Sequence, residues 1–284
     1  MNGAKILLFS GSFKYFGYLC VKQSKTMSTT LYSSPVFGPF FSRRLGVSLG
    51  INLMPSDGKL CSFDCIYCEC GLNRDRRPSL PRPTRDEVRD ELRRWLQRFK
   101  TEGTVPDVLT FAGNGEPTLH PDFPEIVDDV IRLRDEFFPA AKVSVLSNAT
   151  RVTDKRVFAA LLRLDNNIQK LDTVDPDYIR CIDQPAGRYD LDSIVEALKA
   201  FNGHVIIQTM FLTGTVGEKD MDNTSERFVD PWIRRLMEIK PEKVMIYTIS
   251  RDTPITTLKK APAETLDAIA EKVRNAGIEA TVSY

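Results

Sequence analysis

The chain has 284 residues, 42% hydrophobic and 27% charged, a composition that buries a sizeable core and excludes disorder as its main state. With 39 Lys and Arg against 38 Asp and Glu, no global field draws it toward nucleic acid or an anionic membrane, so any such contact is local. Three of its six cysteines fall within eight positions, unlike the even spread of a disulfide framework, which points to ligands in a reducing, cytoplasmic compartment.

In chain order, the first stretch reads unlike the rest. Residues 6–9 are apolar, but Gly11, Ser12, Lys14 and Gly17 interrupt the run before it could span a bilayer. It also lacks the clean apolar run and small-residue cleavage site of a signal peptide. Residues 1–30 are therefore expected to be a disordered leader or an extension upstream of a start at Met27, and residues 31–284 a single domain with no membrane span.

From Gly46 onward strands and helices alternate at short spacing, which argues for βα units around a parallel sheet. The first strand, 46–54, places Val47, Leu49, Ile51 and Leu53 on one face and Ser48, Gly50 and Asn52 on the other, as a barrel strand facing a roomy cavity would. After a cysteine-bearing loop, Thr84 and Glu87 make a capping box ahead of an apolar stripe of Val88, Leu92, Trp95, Leu96 and Phe99. A strand at 107–112 ends in Gly113-Asn114-Gly115-Glu116-Pro117, followed by a helix from Pro124 carrying Ile126, Val130 and Ile131. Further strands are expected at 142–147, 168–172, 205–211 and 244–250, and helices at 154–164, 191–201, 226–239 and 262–276. The fold class is α/β, a partial (βα)6 TIM-like barrel, with no internal repeat and no interdomain linker.

The chemistry begins at Cys61-Ser-Phe-Asp-Cys65-Ile-Tyr-Cys68, a C-x3-C-x2-C run after the first strand. Three thiolates can grip three irons of a cubane and leave the fourth open, and an open position is where chemistry happens. A zinc site normally takes four Cys or His ligands, and the two histidines, His120 and His204, are far away in sequence. Cys70 is the one alternative fourth ligand, and would make a closed zinc or iron-sulfur site for electron transfer or assembly. Cys20 and Cys181 read as ordinary thiols.

Cys61, Cys65, Tyr67 and Cys68 resemble the signature of the radical S-adenosylmethionine superfamily, including the aromatic residue before the last cysteine. The resemblance implies one 4Fe-4S cluster on the three cysteines and reductive cleavage of S-adenosylmethionine to a 5′-deoxyadenosyl radical. That radical would abstract hydrogen from a substrate the motifs do not name, with electrons from a flavodoxin- or ferredoxin-like donor. Gly113, Asn114, Gly115, Glu116 and Pro117 are similar to the family segment that holds the amino group, with asparagine in place of the first glycine of Gly-Gly-Glu-Pro.

Ser147 and Asn148 stand where the family places polar groups for the ribose or carboxylate, although Ser-Asn-Ala-Thr is equally a strand terminator. Lys170 and Asp172 are candidates for the same ligand or for a solvated barrel rim. Gln208 is a candidate cavity residue or a hydrogen-bonded core glutamine. The segment Ser42-Arg43-Arg44-Leu45-Gly46, together with residues 113–120, resembles the branch of wybutosine-synthesis-related Fe-S oxidoreductases, which act on transfer RNA. Those enzymes have additional N-terminal cysteines, whereas this chain has only Cys20 before the motif. Radical RNA methyltransferases use a cysteine near the C-terminus, and no cysteine follows Cys181. Arg74, Arg76, Arg77, Arg82 and Arg85 either meet RNA phosphates at the barrel mouth or are solvated and paired with carboxylates.

Overall fold

The structure, a computed structural model, describes residues 29–42 and 45–284. The expected leader up to residue 28, with Cys20 and Met27, lies outside the described residues, as do Arg43 and Arg44. The described elements are β1 (Val36–Ser42), β2 (Gly46–Ile51), α1 (Arg85–Glu102), β3 (Val108–Phe111), α2 (Phe123–Phe137), β4 (Lys142–Ser147), α3 (Lys155–Leu161), β5 (Asn166–Lys170) and α4 (Pro176–Ile182). They continue through α5 (Leu191–Lys199), β6 (Ile206–Met210), β7 (Leu212–Val216), β8 (Lys219–Asp220), α6 (Glu226–Ile239), β9 (Lys243–Tyr247), β10 (Leu258–Lys260), α7 (Ala263–Asn275) and β11 (Ala280–Ser283).

One sheet runs in the order β1-β2-β3-β4-β5-β6-β9-β11 and curls into a half-barrel. All neighbours from β2 to β11 are parallel, and β1 is antiparallel to β2. A smaller antiparallel sheet joins β10, β7 and β8. The two faces of β2 divide as its alternation requires. Leu49 and Ile51 are fully buried against Val88, Leu92, Leu96 and Phe99 of α1. Ser48 and Gly50 face inward, where the Ser48 hydroxyl lies 2.9 Å from that of Thr110 on β3 and both line a cavity. Ile168, Ile206 and Met245 fill another part of the barrel interior.

The six expected strands are β2, β3, β4, β5, β6 and β9, flanked by two more. Gly38 and Pro39 interrupt the apolar pattern of β1; proline is tolerated because β1 is an edge strand. Strand β11 is only four residues long and is specified by pairing to β9 rather than by its own pattern. Strand β5 starts two residues earlier than its apolar residues suggest. Asn167 and Gln169 are buried in it, with Gln169 Nε2 donating to Asn167 Oδ1 (2.7 Å) and Asn167 Nδ2 to the His204 carbonyl (3.1 Å).

The capping box of α1 is formed in both directions: the Glu87 amide donates to Thr84 Oγ1 (3.3 Å) and the Thr84 amide to Glu87 Oε2 (2.7 Å). Replacing Thr84 with alanine is expected to lower unfolding free energy by about 1 kcal/mol in a urea titration, with Thr84→Ser close to the parent.

Candidate active site

The loops after β2 and β3 are locked together by a very close backbone approach. Leu60 and Gly115 form a parallel bridge, in which the Leu60 amide donates to the Asn114 carbonyl (2.9 Å) and the Glu116 amide to the Leu60 carbonyl (3.1 Å). Gly113 and Gly115 have φ of 127° and 141°, and a Cβ on Gly115 would lie 1.9 Å from the Leu60 carbonyl oxygen. Only glycine fits such a contact. The next residues on the two loops are Cys61 and Glu116.

The motif cysteines carry free thiols, Cys65 buried and Cys61 and Cys68 half-buried. Cys61 Sγ accepts from the Phe63 amide and from Asn148 Nδ2, both at 3.5 Å. Cys65 Sγ lies 2.9 Å from Lys170 Nζ and 3.6 Å from Asp183 Oδ1. Cys70 places its thiol against Cys68 and 3.3 Å from the Gly113 carbonyl. Burial pushes the Cys61 thiol up to about 12, with the Glu116 carboxylate adding to the rise. The hydrogen bond from Cys70, working against burial and joined by the Lys59 charge, draws Cys68 down to about 6.

Lys59, two residues before the motif, is buried and donates to the Gly71 carbonyl (2.8 Å) and to Asp64 Oδ1 (3.2 Å). Burial opposes its charge, yet the fields of Cys68, Cys61, Cys65 and Asp64 hold its pKa above the ordinary lysine value. All three motif sulfurs therefore act on one ammonium. Among the described residues, no three His, Cys, Asp or Glu side chains already stand at metal-binding spacing; each sulfur is held by its own neighbour.

Glu116, Ser147 and Asn148 are brought together beside Cys61. Glu116 is 2% exposed and caps the 3-10 turn Pro117–Leu119. Its Oε1 accepts from the Thr118 amide (3.0 Å) and hydroxyl (2.6 Å), and its Oε2 from the Asn148 amide (2.7 Å). Ser147 also hydrogen-bonds to it. Burial raises the Glu116 pKa against these bonds, and among the described residues no cation pairs with it. Asn148 spans the gap, since its Nδ2 also reaches Ser62 Oγ (2.9 Å).

Lys170 and Asp172 are not at a solvated rim. Both are buried, in a cluster with Tyr67 and Asp183: Lys170 Nζ pairs with Asp183 and, at 3.3 Å, with Asp172, whose other oxygen accepts from the Met210 amide (2.9 Å). The Tyr67 hydroxyl donates to Asp172. Gln208 is buried opposite Lys170 in the β5–β6 register. The Asn114 side chain is fully used within the protein: Nδ2 donates to the Tyr32 (2.9 Å) and Pro55 (2.8 Å) carbonyls, and Oδ1 accepts from the Tyr32 amide (2.8 Å). Three of the five arginines have separate partners: Arg85 pairs with Asp129, Arg76 with Thr29 and Arg74 with Asp75.

A cavity of about 680 Å3 opens beside the loop, lined by Phe37, Phe40, Phe41, Ser48, Thr110, Cys68 and Gly113 among others. At its edge Arg251 donates to Tyr32 and pairs with Glu69 (2.7 Å).

Residues 56–228 match the family model of the Radical SAM superfamily. The chain belongs to that superfamily. It is 30% identical over 278 residues to a UPF0026 protein of Synechocystis sp., covering 88% of this chain and 95% of that protein. It is 33% identical over 240 residues to a Brachyspira hyodysenteriae protein named GTPase Obg, 83% of this chain but only 32% of that relative's length. Its fold is similar to a radical SAM methyltransferase from Sphaerobacter thermophilus, with a TM-score of 0.62 at 17% identity over 84% of this chain and 66% of that one. It is also similar to TYW1 with a bound lysine-pyruvate adduct, with a TM-score of 0.56 at 14% identity over 80% and 73%.

The chain is thus a radical SAM enzyme, of a family that binds a 4Fe-4S cluster and S-adenosylmethionine. The residues present fit that pair of groups: three free sulfurs lie on one loop with the buried Lys59 ammonium, beside a buried carboxylate that no cation pairs with among the described residues. Sequence reasoning missed Lys59, Asp183, Tyr32, Glu69 and Arg251. A lysine two residues before a cysteine motif is a signal that could have been read; Asp183 leaves none.

Substituting Gly115 with alanine is expected to cost at least about 1–3 kcal/mol through the backbone conformation alone, read as a lower urea midpoint. Gly187→Ala, where a Cβ meets open space, serves as the silent control.

Proposed function

We propose that Cys61, Cys65 and Cys68 hold one 4Fe-4S cluster with its fourth iron open, and that Glu116 holds the ammonium of S-adenosylmethionine beside it. The observation carrying this reading is the Glu116 carboxylate, buried, next to Cys61 and without a counter-cation among the described residues. A buried charge left uncompensated is costly, and the ligand's amino group supplies the missing partner. Gly113, Gly115 and Pro117 let the backbone approach the ligand closely, while Ser147 and Asn148 fix the carboxylate. Asn114 contributes by tying Tyr32 to the loop. Tyr67, Lys170, Asp172 and Gln208 form the wall behind Cys65 and lie within reach of the rest of the ligand.

When bound, the cluster and S-adenosylmethionine supply a one-electron cleavage that gives a 5′-deoxyadenosyl radical for hydrogen abstraction. The protein's part is positioning and exclusion of water. The substrate occupies the 680 Å3 cavity, which presents Cys68 and Gly113 on one side and the aromatic side chains of β1 on the other. A flavodoxin- or ferredoxin-like donor in the cytoplasm provides the electron, and no helix among the described residues is long and apolar enough to cross a membrane. Residues 31–284 act as a single radical SAM domain. The separate partners of Arg74, Arg76 and Arg85 give no support to an RNA track.

The rival reading, a non-catalytic site closed by Cys70, requires Cys70 as a thiolate. Its thiol is instead engaged with the Gly113 carbonyl (3.3 Å).

Anaerobic reconstitution with iron and sulfide, followed by dithionite and S-adenosylmethionine, is expected to yield 5′-deoxyadenosine by chromatography. Cys65→Ala should abolish the product and Cys70→Ala should retain at least half of it. Loss of iron on Cys70→Ala, or a stable cluster without cleavage in the parent, would overturn the reading in favour of the binding protein.

A further inference from the structure

Lys170 and Asp183 form an arrangement around Cys65 that the cysteine motif does not require. Lys170 Nζ lies 2.9 Å from Cys65 Sγ while also pairing with Asp183 and, at 3.3 Å, with Asp172. The ammonium sits 5.0 Å from the Phe63 ring centre and 4.8 Å from that of Tyr67. Cys65, Lys170 and Asp183 are 9%, 7% and 4% exposed. A lysine side chain normally keeps several rotamers; here two carboxylates and two ring faces fix the ammonium, so its contact with the sulfur is held rather than incidental.

Asp183 comes from a different element, the C-terminal cap of α4, and its carbonyl accepts from the Asp64 amide in the cysteine loop (2.9 Å). One residue thereby anchors both the loop backbone beside Cys65 and the lysine that faces its sulfur.

We propose that Lys170 and Asp183 are positioning residues that set the reduction potential of the cluster held by Cys65. The inference rests on the reading that Cys65 is a cluster ligand. An electron entering an iron-sulfur centre makes it more negative, so an N–H to S hydrogen bond and a nearby cation favour the reduced state while a nearby carboxylate disfavours it. Because Cys65, Lys170 and Asp183 are buried and in direct contact, each effect is stronger than it would be in water. Lys170 therefore raises the potential, and Asp183 aims the lysine and offsets part of its charge. No bond to Lys170 forms or breaks; the electron comes from the external reductant.

The test is a redox titration of the anaerobically reconstituted protein, followed by electron paramagnetic resonance, with S-adenosylmethionine omitted so that contacts to that ligand play no part. Lys170→Met is expected to move the midpoint to more negative potential, leaving a smaller reduced fraction at a fixed dithionite concentration. Lys170→Arg, which keeps the charge and the donors, should stay near the parent, and Asp183→Asn should move the midpoint the opposite way. Unmoved midpoints in Lys170→Met and Asp183→Asn, with iron content and cubane signal intact, would overturn this inference and leave the three-cysteine reading standing. If the parent protein assembles no cluster, both fall together. Where Lys170→Met cannot retain iron, Asp183→Asn decides: a positive shift supports the inference and no shift overturns it.

Discussion

The contact on which the rest of the site depends is the bridge between Leu60 and Gly115. It brings the backbone of one loop so close to the other that a single methyl group on Gly115 would overlap the Leu60 carbonyl. Because Cys61 follows Leu60 and Glu116 follows Gly115, this one contact sets a sulfur beside a carboxylate although the two residues lie on the loops of different strands. Asn148 then adds the end of β4 to the pair, giving its amide to Glu116 and its side chain to Cys61. Three adjacent strand ends are thus tied at a single point, and the parallel sheet serves to bring those ends side by side.

Around that point the protein buries several ionisable groups, and it does so under a consistent rule. Lys59 faces Asp64, and Lys170 faces Asp172 and Asp183. Each cation removed from water is met by a carboxylate, as the cost of burying charge demands. Glu116 departs from the rule: it has hydrogen-bond donors but, among the described residues, no cation. That departure is the observation behind the ammonium site proposed at Glu116.

Much of this was legible in the sequence, for local reasons. The alternation in β2 separated cavity face from core, Thr84 and Glu87 announced α1, and the Gly113 to Pro117 run was placed at a strand end because an apolar strand precedes it. What could not be read depends on distance in the chain. Lys170 and Asp172 look like a polar strand end until Asp183, delivered by α4, is seen to enclose them. Asn114 stands in a family segment, and the structure adds that its side-chain NH2 donates to the Tyr32 and Pro55 carbonyls. Strands β1 and β11 lack strong patterns of their own because an edge position asks less of the residues that fill it.

The cysteine loop also has two sides with different tasks. Cys68, Glu69 and Cys70 border the cavity, together with Tyr32 and Arg251, whereas Cys61 and Cys65 turn toward Asn148 and Lys170. A group held on this loop would therefore meet small molecules on the cavity side and fixed protein charges on the other. Such a division lets the electrostatics behind the loop stay constant while the aromatic wall of β1 varies to suit a substrate. On the proposed roles, changes at Phe40 and Phe41 would alter substrate choice and changes at Lys170 and Asp183 the cluster's potential, and the two would combine nearly additively because the groups share no partner.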